Sequence, residues 1–248
     1  MRKTLGIVIA ATLVIVWSGV AWSGEDANPR AIVAQAIKAM GGEKNLATHN
    51  AATWTEKGTY YGMGEGLPFT GKYQVQMPDK FRMEIEGVFT IVVDGDKGWT
   101  KSGNGDVKDM NKDEMAFQKE SLYAQGVMRL MVLKEKEKEF TLAMLDASKV
   151  DGKPAVGVKV SHKGHEDIKL YFDKEANLLV KVELRVKAAE QGFKEVTQET
   201  FLKDWKDVDG IKVVQKVVDK RDGKLYIEEE VSAVKYLEKV EAKLFAKP

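Results

Sequence analysis

Cysteine is absent from the 248 residues. Its absence excludes disulfide staples, a cysteine nucleophile and lipid attachment through an N-terminal cysteine, and it is compatible with an exported protein that does not rely on disulfides. Histidine is scarce, with three in the chain, and a zinc site wants three or four convergent ligands, usually His or Cys. The catalytic signatures G-x-S-x-G and H-E-x-x-H do not occur, and neither do a P-loop or a dinucleotide fingerprint. Gly62–Gly66 has the glycines of a phosphate loop without the Lys-Ser/Thr that must follow. An excess of one charge is missing too: 39 basic residues face 38 acidic ones, so there is no basic stripe for nucleic acid. Five prolines leave no Pro-rich linker, and the chain is long enough to bury one substantial core.

The first 23 residues differ in kind from the rest. Arg2 and Lys3 precede the uncharged run Leu5–Val20, and the small residues Ala21 and Ser23 follow at the spacing a signal peptidase reads. That run is shorter than the roughly 20 residues a spanning helix needs. A cleaved signal and a periplasmic location are expected, with an uncleaved inner-membrane anchor as the alternative. Removing 1–23 takes away two basic residues and no acid, which leaves residues 24–248 as one nearly neutral domain.

The grammar of that domain is alternation. In His165–Lys187, Ile168, Leu170 and Phe172 alternate with Lys169, Tyr171 and Asp173; Val180, Val182, Leu184 and Val186 then alternate with Lys181, Glu183 and Arg185. Period two over both runs marks two strands, and the DKEAN connection makes them an antiparallel hairpin. The same pattern recurs at Trp54–Tyr61, Phe69–Met77, Lys80–Glu86, Phe89–Val93, Phe140–Leu145, Ala155–Ser161, Lys194–Trp205, Gly210–Asp219 and Lys224–Tyr236. Gly62–Pro68 reads as a loop, and Asp209-Gly210 and Asp222-Gly223 as hairpin turns. Two segments break the pattern. Arg30–Met40 is a short helix capped by Asn28-Pro29 and stopped by Gly41-Gly42. Asn111–Lys134 is a second helix with Asp113 and Glu114 in its first turn and an end, Val127–Leu133, that is apolar nearly all round. About eleven strands and two helices make a mainly β (α+β) fold: one large, curved, antiparallel sheet.

The order of short motifs resembles the LolA-like family of exported lipoprotein carriers. The residues that carry the likeness are Met77-Pro78-x-x-Phe81, then Asp94-Gly95-x-x-x-Trp99, with Ala36–Leu46, Tyr171-Phe172-Asp173, Asp209-Gly210-Ile211 and the ending Leu244–Pro248. The resemblance implies an open, strongly curved sheet, an incomplete β-barrel, with helices covering its mouth. It also implies a non-catalytic role, sheltering the acyl chains of a lipid or lipidated protein between donor and acceptor envelope proteins. In one departure, Met77 stands where such carriers tend to place an arginine before the proline; Arg82 is nearby, but alternation puts it on the solvated face.

On that reading Trp54, Phe69, Tyr73, Phe81, Met83, Phe172 and Leu184 line an apolar cavity, and Met128 and Met131 close it from the helix, which acts as a mobile cover. Methionine suits irregular apolar ligands because it is unbranched and polarizable. Alternation alone does not distinguish a vacant cavity from a filled core, so a structural or interaction module with a filled sheet is the rival, and an exported enzyme with an unfamiliar site is a third reading. The carboxylates are scattered along alternating strands, where most are read as facing water. His162-Lys163-Gly164-His165-Glu166-Asp167 is read as a polar turn and not a metal site. No cofactor, metal or nucleic acid is expected, and the chain is expected to be a monomer.

Overall fold

The computed structural model describes residues 28–188 and 191–248; the expected signal segment, 1–23, lies outside the described residues. The chain opens with helix α1, Pro29–Ala39, whose first turn is capped by the Asn28 side chain accepting from the Arg30 amide. A short helix α2, Glu43–Thr48, follows the Gly41-Gly42 stop. Six strands then run as a meander: β1 Ala51–Tyr60, β2 Leu67–Gln76, β3 Lys80–Ile85, β4 Phe89–Asp94, β5 Lys97–Ser102 and β6 Val107–Asp109. Helices α3, Lys112–Met128, and α4, Met131–Glu135, come next. The remaining strands are β7 Phe140–Met144, β8 Ser148–Val150, β9 Lys153–His162, β10 Ile168–Asp173, β11 Leu179–Ala188, β12 Lys194–Lys203, β13 Lys206–Val208, β14 Ile211–Val213, β15 Lys216–Arg221 and β16 Lys224–Leu237.

Fourteen of these strands form one antiparallel sheet in the order β6-β5-β4-β3-β2-β1-β16-β15-β12-β11-β10-β9-β7, with β8 paired to β9; β13 and β14 make a separate hairpin. The sheet is strongly curved but not closed. Its two edges are β6 and β7, and the chain passes from one to the other through α3 and α4. The helices therefore bridge the opening of an incomplete barrel, as the family likeness implies.

Several details differ from the sequence reading. Among the described residues sixteen strands replace about eleven, partly because the long runs are interrupted. Gly210–Asp219 is two strands broken at Val214-Gln215, and Lys194–Trp205 ends at Lys203. β2 begins at Leu67, inside the expected loop. A bulge beside Tyr171/Phe172 puts Leu179 into the core in place of Val180. The expected single helix 111–134 is two: Leu130 adopts φ 66°, and Arg129 turns back to donate to the His49 carbonyl. The turn signals hold. Asp209 and Gly210, and Asp222 and Gly223, all take positive φ, the conformation of the tight hairpin turns they mark.

Three apolar clusters hold the fold. The largest packs α1, α2, the end of α3 and α4 onto the concave face of β7, β9–β12 and β15. At its centre Val158, Val160, Leu170 and Val182 are fully buried, and Phe172 is 1% exposed; burying side chains of this kind stabilises by about 1.5–3 kcal/mol each before the ordering cost. α1 runs the length of this half. Arg30 donates to the carbonyls of Glu137 and Phe140, both at 2.9 Å, and at the other end the Lys212 amide donates to the Met40 carbonyl at 2.9 Å. Gly41 is required there, because a Cβ would strike the Gly210 carbonyl. The second cluster is Ala52, Tyr73, Val75, Phe81 and Val93 under Leu122 of α3. The third lies on the convex side, where the C-terminal segment lays Val240 and Phe245 over Val92 and Trp99.

Candidate functional site

The two halves of the concave face are occupied differently. Over β7 and β9–β12 the helices fill it. Over β1–β5 and β16, α3 covers only the end carrying Val75, Phe81 and Val93, where Leu122 packs and Met110 and Met115 press on Gly98. Beyond that, pairing registers place Phe69, Ile85, Phe89, Ile91 and Ile227 on the concave side. Each is only half-buried, and among the described residues none belongs to any of the three packed clusters. This apolar stretch of the concave face, the hollow, carries no packed cover among the described residues.

Its floor is polar. Across β1 and β2, Trp54 pairs with Tyr73 and Glu56 with Gly71. The two rings stack with centroids 5.1 Å apart and planes 7° apart. Trp54 Nε1 donates to Glu56 Oε1 at 2.6 Å, and the Tyr73 hydroxyl reaches the same carboxylate. Gly71 permits this, since a Cβ there would collide with the Tyr73 ring. From β16, Glu229 meets Glu56; from β15, Asp219 accepts from Thr200 Oγ1. Arg221 Nε donates to Gln198 Oε1 at 3.1 Å beside them.

Burial sets the charge of this floor. Desolvation, then the neighbouring charges of Glu56 and Asp219, push Glu229 up to about 10, so it is protonated at neutral pH and donates to Glu56. Burial also raises Glu56, against hydrogen bonds from Tyr73, Trp54 and Glu229. It raises Asp219 to about 6, opposed by Thr200 and Arg221, and it raises Tyr73. Glu229 and Asp219 nonetheless keep some accessible surface, as groups at the bottom of a recess do. The sequence expectation that most strand carboxylates face water singles out none of these three. A signal was present: Ile227-Glu228-Glu229-Glu230-Val231 puts three acids in a row on a strand, so at least one must point inward.

No protein-family model matches the chain, and no curated protein matches it by sequence. Solved structures do match by shape. A DUF1329 family protein from Desulfovibrio piger superposes with a TM-score of 0.61 at 13% identity, over 89% of this chain and 98% of that one. A LolA superfamily protein from Nitrosomonas europaea gives 0.57 at 7% identity, over 89% and 98%. An outer membrane lipoprotein-sorting protein domain from Vibrio parahaemolyticus gives 0.56 at 11%, over 88% and 97%.

The chain has a LolA-like fold.

Within this LolA-like sheet, the residues expected to line one cavity separate into two groups. Trp54, Tyr73, Phe81 and Met83 lie together in the second cluster, facing the hollow, and Phe69 stands at the hollow's outer end, opposite Gly58. Phe172, Leu184, Met128 and Met131 belong to the filled half, where Phe172 is closed off completely. The Asn111–Lys134 cover is likewise divided: Val127, Leu130 and Leu133 are at most 1% exposed, so its end is a fixed part of the core, and only the first half of α3 lies over the opening.

Two polar readings also change. Arg82 is on the convex face as alternation requires, but that face is covered. The guanidinium donates to Glu84 at 2.6 Å and to the Leu244 carbonyl at 3.4 Å, while Trp99 Nε1 donates to the Phe245 carbonyl at 3.0 Å. The His162–Asp167 turn does more than face water. His165 stacks on Tyr123 of α3 at 3.6 Å and its Nδ1 donates to the Glu120 carboxylate at 2.8 Å, and His162 lies 4.9 Å from His165. The turn docks the cover helix.

Proposed function

We propose that the protein is an exported, periplasmic, non-catalytic carrier or binding protein for an acyl chain or a similar apolar ligand, held in the unfilled half of the concave face. The observation that carries this reading is the set Phe69, Ile85, Phe89, Ile91 and Ile227, apolar and half-exposed on the inner face of a sheet whose other half is packed shut. The LolA-like fold supports it. So does the chemistry of the floor: with Glu229 protonated, a hydrocarbon chain meets fewer charges than the sequence carries there. Among the described residues no helix is long and apolar enough to cross a membrane, in keeping with delivery by a carrier.

The energetics set a condition. Burying a sixteen-carbon chain contributes on the order of 12 kcal/mol, at about 0.8 per CH₂, so release needs a receiving partner or a partial fit. The rival, an interaction module with a filled sheet, draws support from the packed C-terminal half. There are also two open clefts, one of about 410 Å³ beside Arg82 and Lys243 that shares Ile85 and Phe89 with the hollow, and one of about 460 Å³ beside His165 and Arg185. Titration with a fluorescent fatty acid separates the two readings. Saturable binding that Met83→Glu abolishes supports the carrier; no binding to the delipidated protein supports the module.

A further inference from the structure

Among the described residues five large apolar side chains stand exposed: Met63 at 76%, Val88 at 56%, Leu67 at 47%, Phe193 at 43% and Leu225 at 39%. All five sit in or beside hairpin turns. The pairing registers bring those turns to one end of the sheet, because Tyr60 pairs with both Leu67 and Ile227, Ile85 with Phe89 and Gly71, Arg221 with Lys224 and Gln198, and Ala188 with Lys194. None stands at the opposite end, although Leu225, paired with Lys220, and Val88, beside Arg82 and Trp99, lean to the convex side of the rim. They ring the end where the hollow carries Phe69, Ile85 and Phe89.

We propose that this rim is a docking surface for an anionic lipid bilayer, through which the hollow is loaded or emptied. The proposal rests on the hollow reading for its purpose, though not for its geometry. Lone apolar side chains on separate turns around an opening lack the contiguous apolar core that a protein interface builds. They match the shallow insertion of an interfacial anchor. Lys194 follows Phe193, Lys224 precedes Leu225, and Lys187 lies on the same hairpin as Phe193. None of the three has an ion-pair partner among the described residues. An apolar tip below the headgroups with a lysine at phosphate level is the arrangement that anionic lipid rewards. Phe193 also holds φ 62° directly after Gly192 at 66°, a conformation a bulky side chain adopts at a cost and only where the surroundings hold it. Finally, Arg30 is fixed at this end of the strands by the Phe140 carbonyl, and Phe140 pairs with His162. The first described helix therefore begins at the rim end.

The test is co-sedimentation of the protein, released by osmotic shock from cells that export it, with vesicles of phosphatidylethanolamine and phosphatidylglycerol. Fluorescent fatty-acid titration without vesicles runs alongside. The expected result is vesicle binding that weakens with added salt and falls at least tenfold in Met63→Ser/Leu225→Ser, while fatty-acid affinity is unchanged. If that variant fails to fold, Lys194→Glu/Lys224→Glu serves the same comparison, with the apolar tips intact. Wild-type protein that stays in the supernatant overturns the proposal and assigns the rim to a protein partner; so does equal sedimentation of wild type and variant. Vesicle binding without fatty-acid binding leaves the rim standing and removes the hollow; the reverse removes the rim alone.

Discussion

Trp54 and Tyr73 lie ring against ring across neighbouring strands, 5.1 Å apart, and hydrogen-bond to the same Glu56 carboxylate. An acid is thereby built into the floor of an apolar recess, next to a second acid, Glu229, that keeps its proton. The consequences are measurable.

Stability is expected to fall as pH rises, the reverse of the usual carboxylate behaviour. Glu229 is raised from 4.5 to about 10, so between those values the folded state holds a proton that the unfolded state has released. Unfolding free energy therefore declines with pH across that window. Asp219, raised from 3.8 to about 6, adds the same sign over its shorter range. Thermal melts from pH 5 to pH 9 should show a falling Tm. Glu229→Gln should flatten the trend, with a shift of about 2–4 °C for each kcal/mol removed in a chain of this size. A Tm that rises over this range contradicts the buried pair.

Met83 and Phe172 should respond in opposite ways to the same substitution. Met83→Glu places a carboxylate at the edge of a recess that admits water. It should fold with a near-normal melt and lose fatty-acid affinity. Phe172→Glu puts an unpaired charge in a closed core and should cost several kcal/mol or prevent folding. Circular-dichroism melts of the two variants check this; equal collapse means that both halves are filled.

The break between α3 and α4 gives a test with an inverted order. Leu130 is buried yet left-handed, at φ 66°. Truncating it opens a cavity worth about 2–5 kcal/mol for Leu→Ala, but glycine recovers roughly 1–2 kcal/mol of backbone cost that alanine retains. Leu130→Gly should therefore be no less stable in urea than Leu130→Ala, although glycine is the worse residue inside an ordinary helix.

The cover should open by halves. Residues 112–121 are held by few contacts, among them Met115 on Gly98, Phe117 beside Phe193 at 6.4 Å and His165 on Glu120. Val127 and Leu133 are locked in the core. Amide exchange should be much faster in 112–121 than in 127–133. Uniform protection across both means that α3 is a strut along its whole length.

The strands and their turns were legible because alternation and the Asp-Gly pairs are local signals, and so was the helix start, where the Asn111 side chain accepts from the Asp113 and Glu114 amides. What was illegible depends on distant partners. Phe172 and Met83 carry the same alternating signature, and only the arrival of α1 over one of them makes it core. Leu130 reads as a continuing helix because nothing local reveals that Arg129 is drawn away to the His49 carbonyl. Glu229 was not singled out because Glu228, Glu229 and Glu230 are alike in sequence, and only the strands on either side of β16 show which of them is buried.

The most direct measurement is native mass spectrometry of the protein purified, without delipidation, from the cells that make it. The hollow should yield a reproducible added mass in the range of a lipid or acyl chain, one that organic solvent removes and that Met83→Glu does not carry. Bare polypeptide from every preparation, with no uptake of added fatty acid, would contradict the carrier reading and leave a curved sheet that is simply packed.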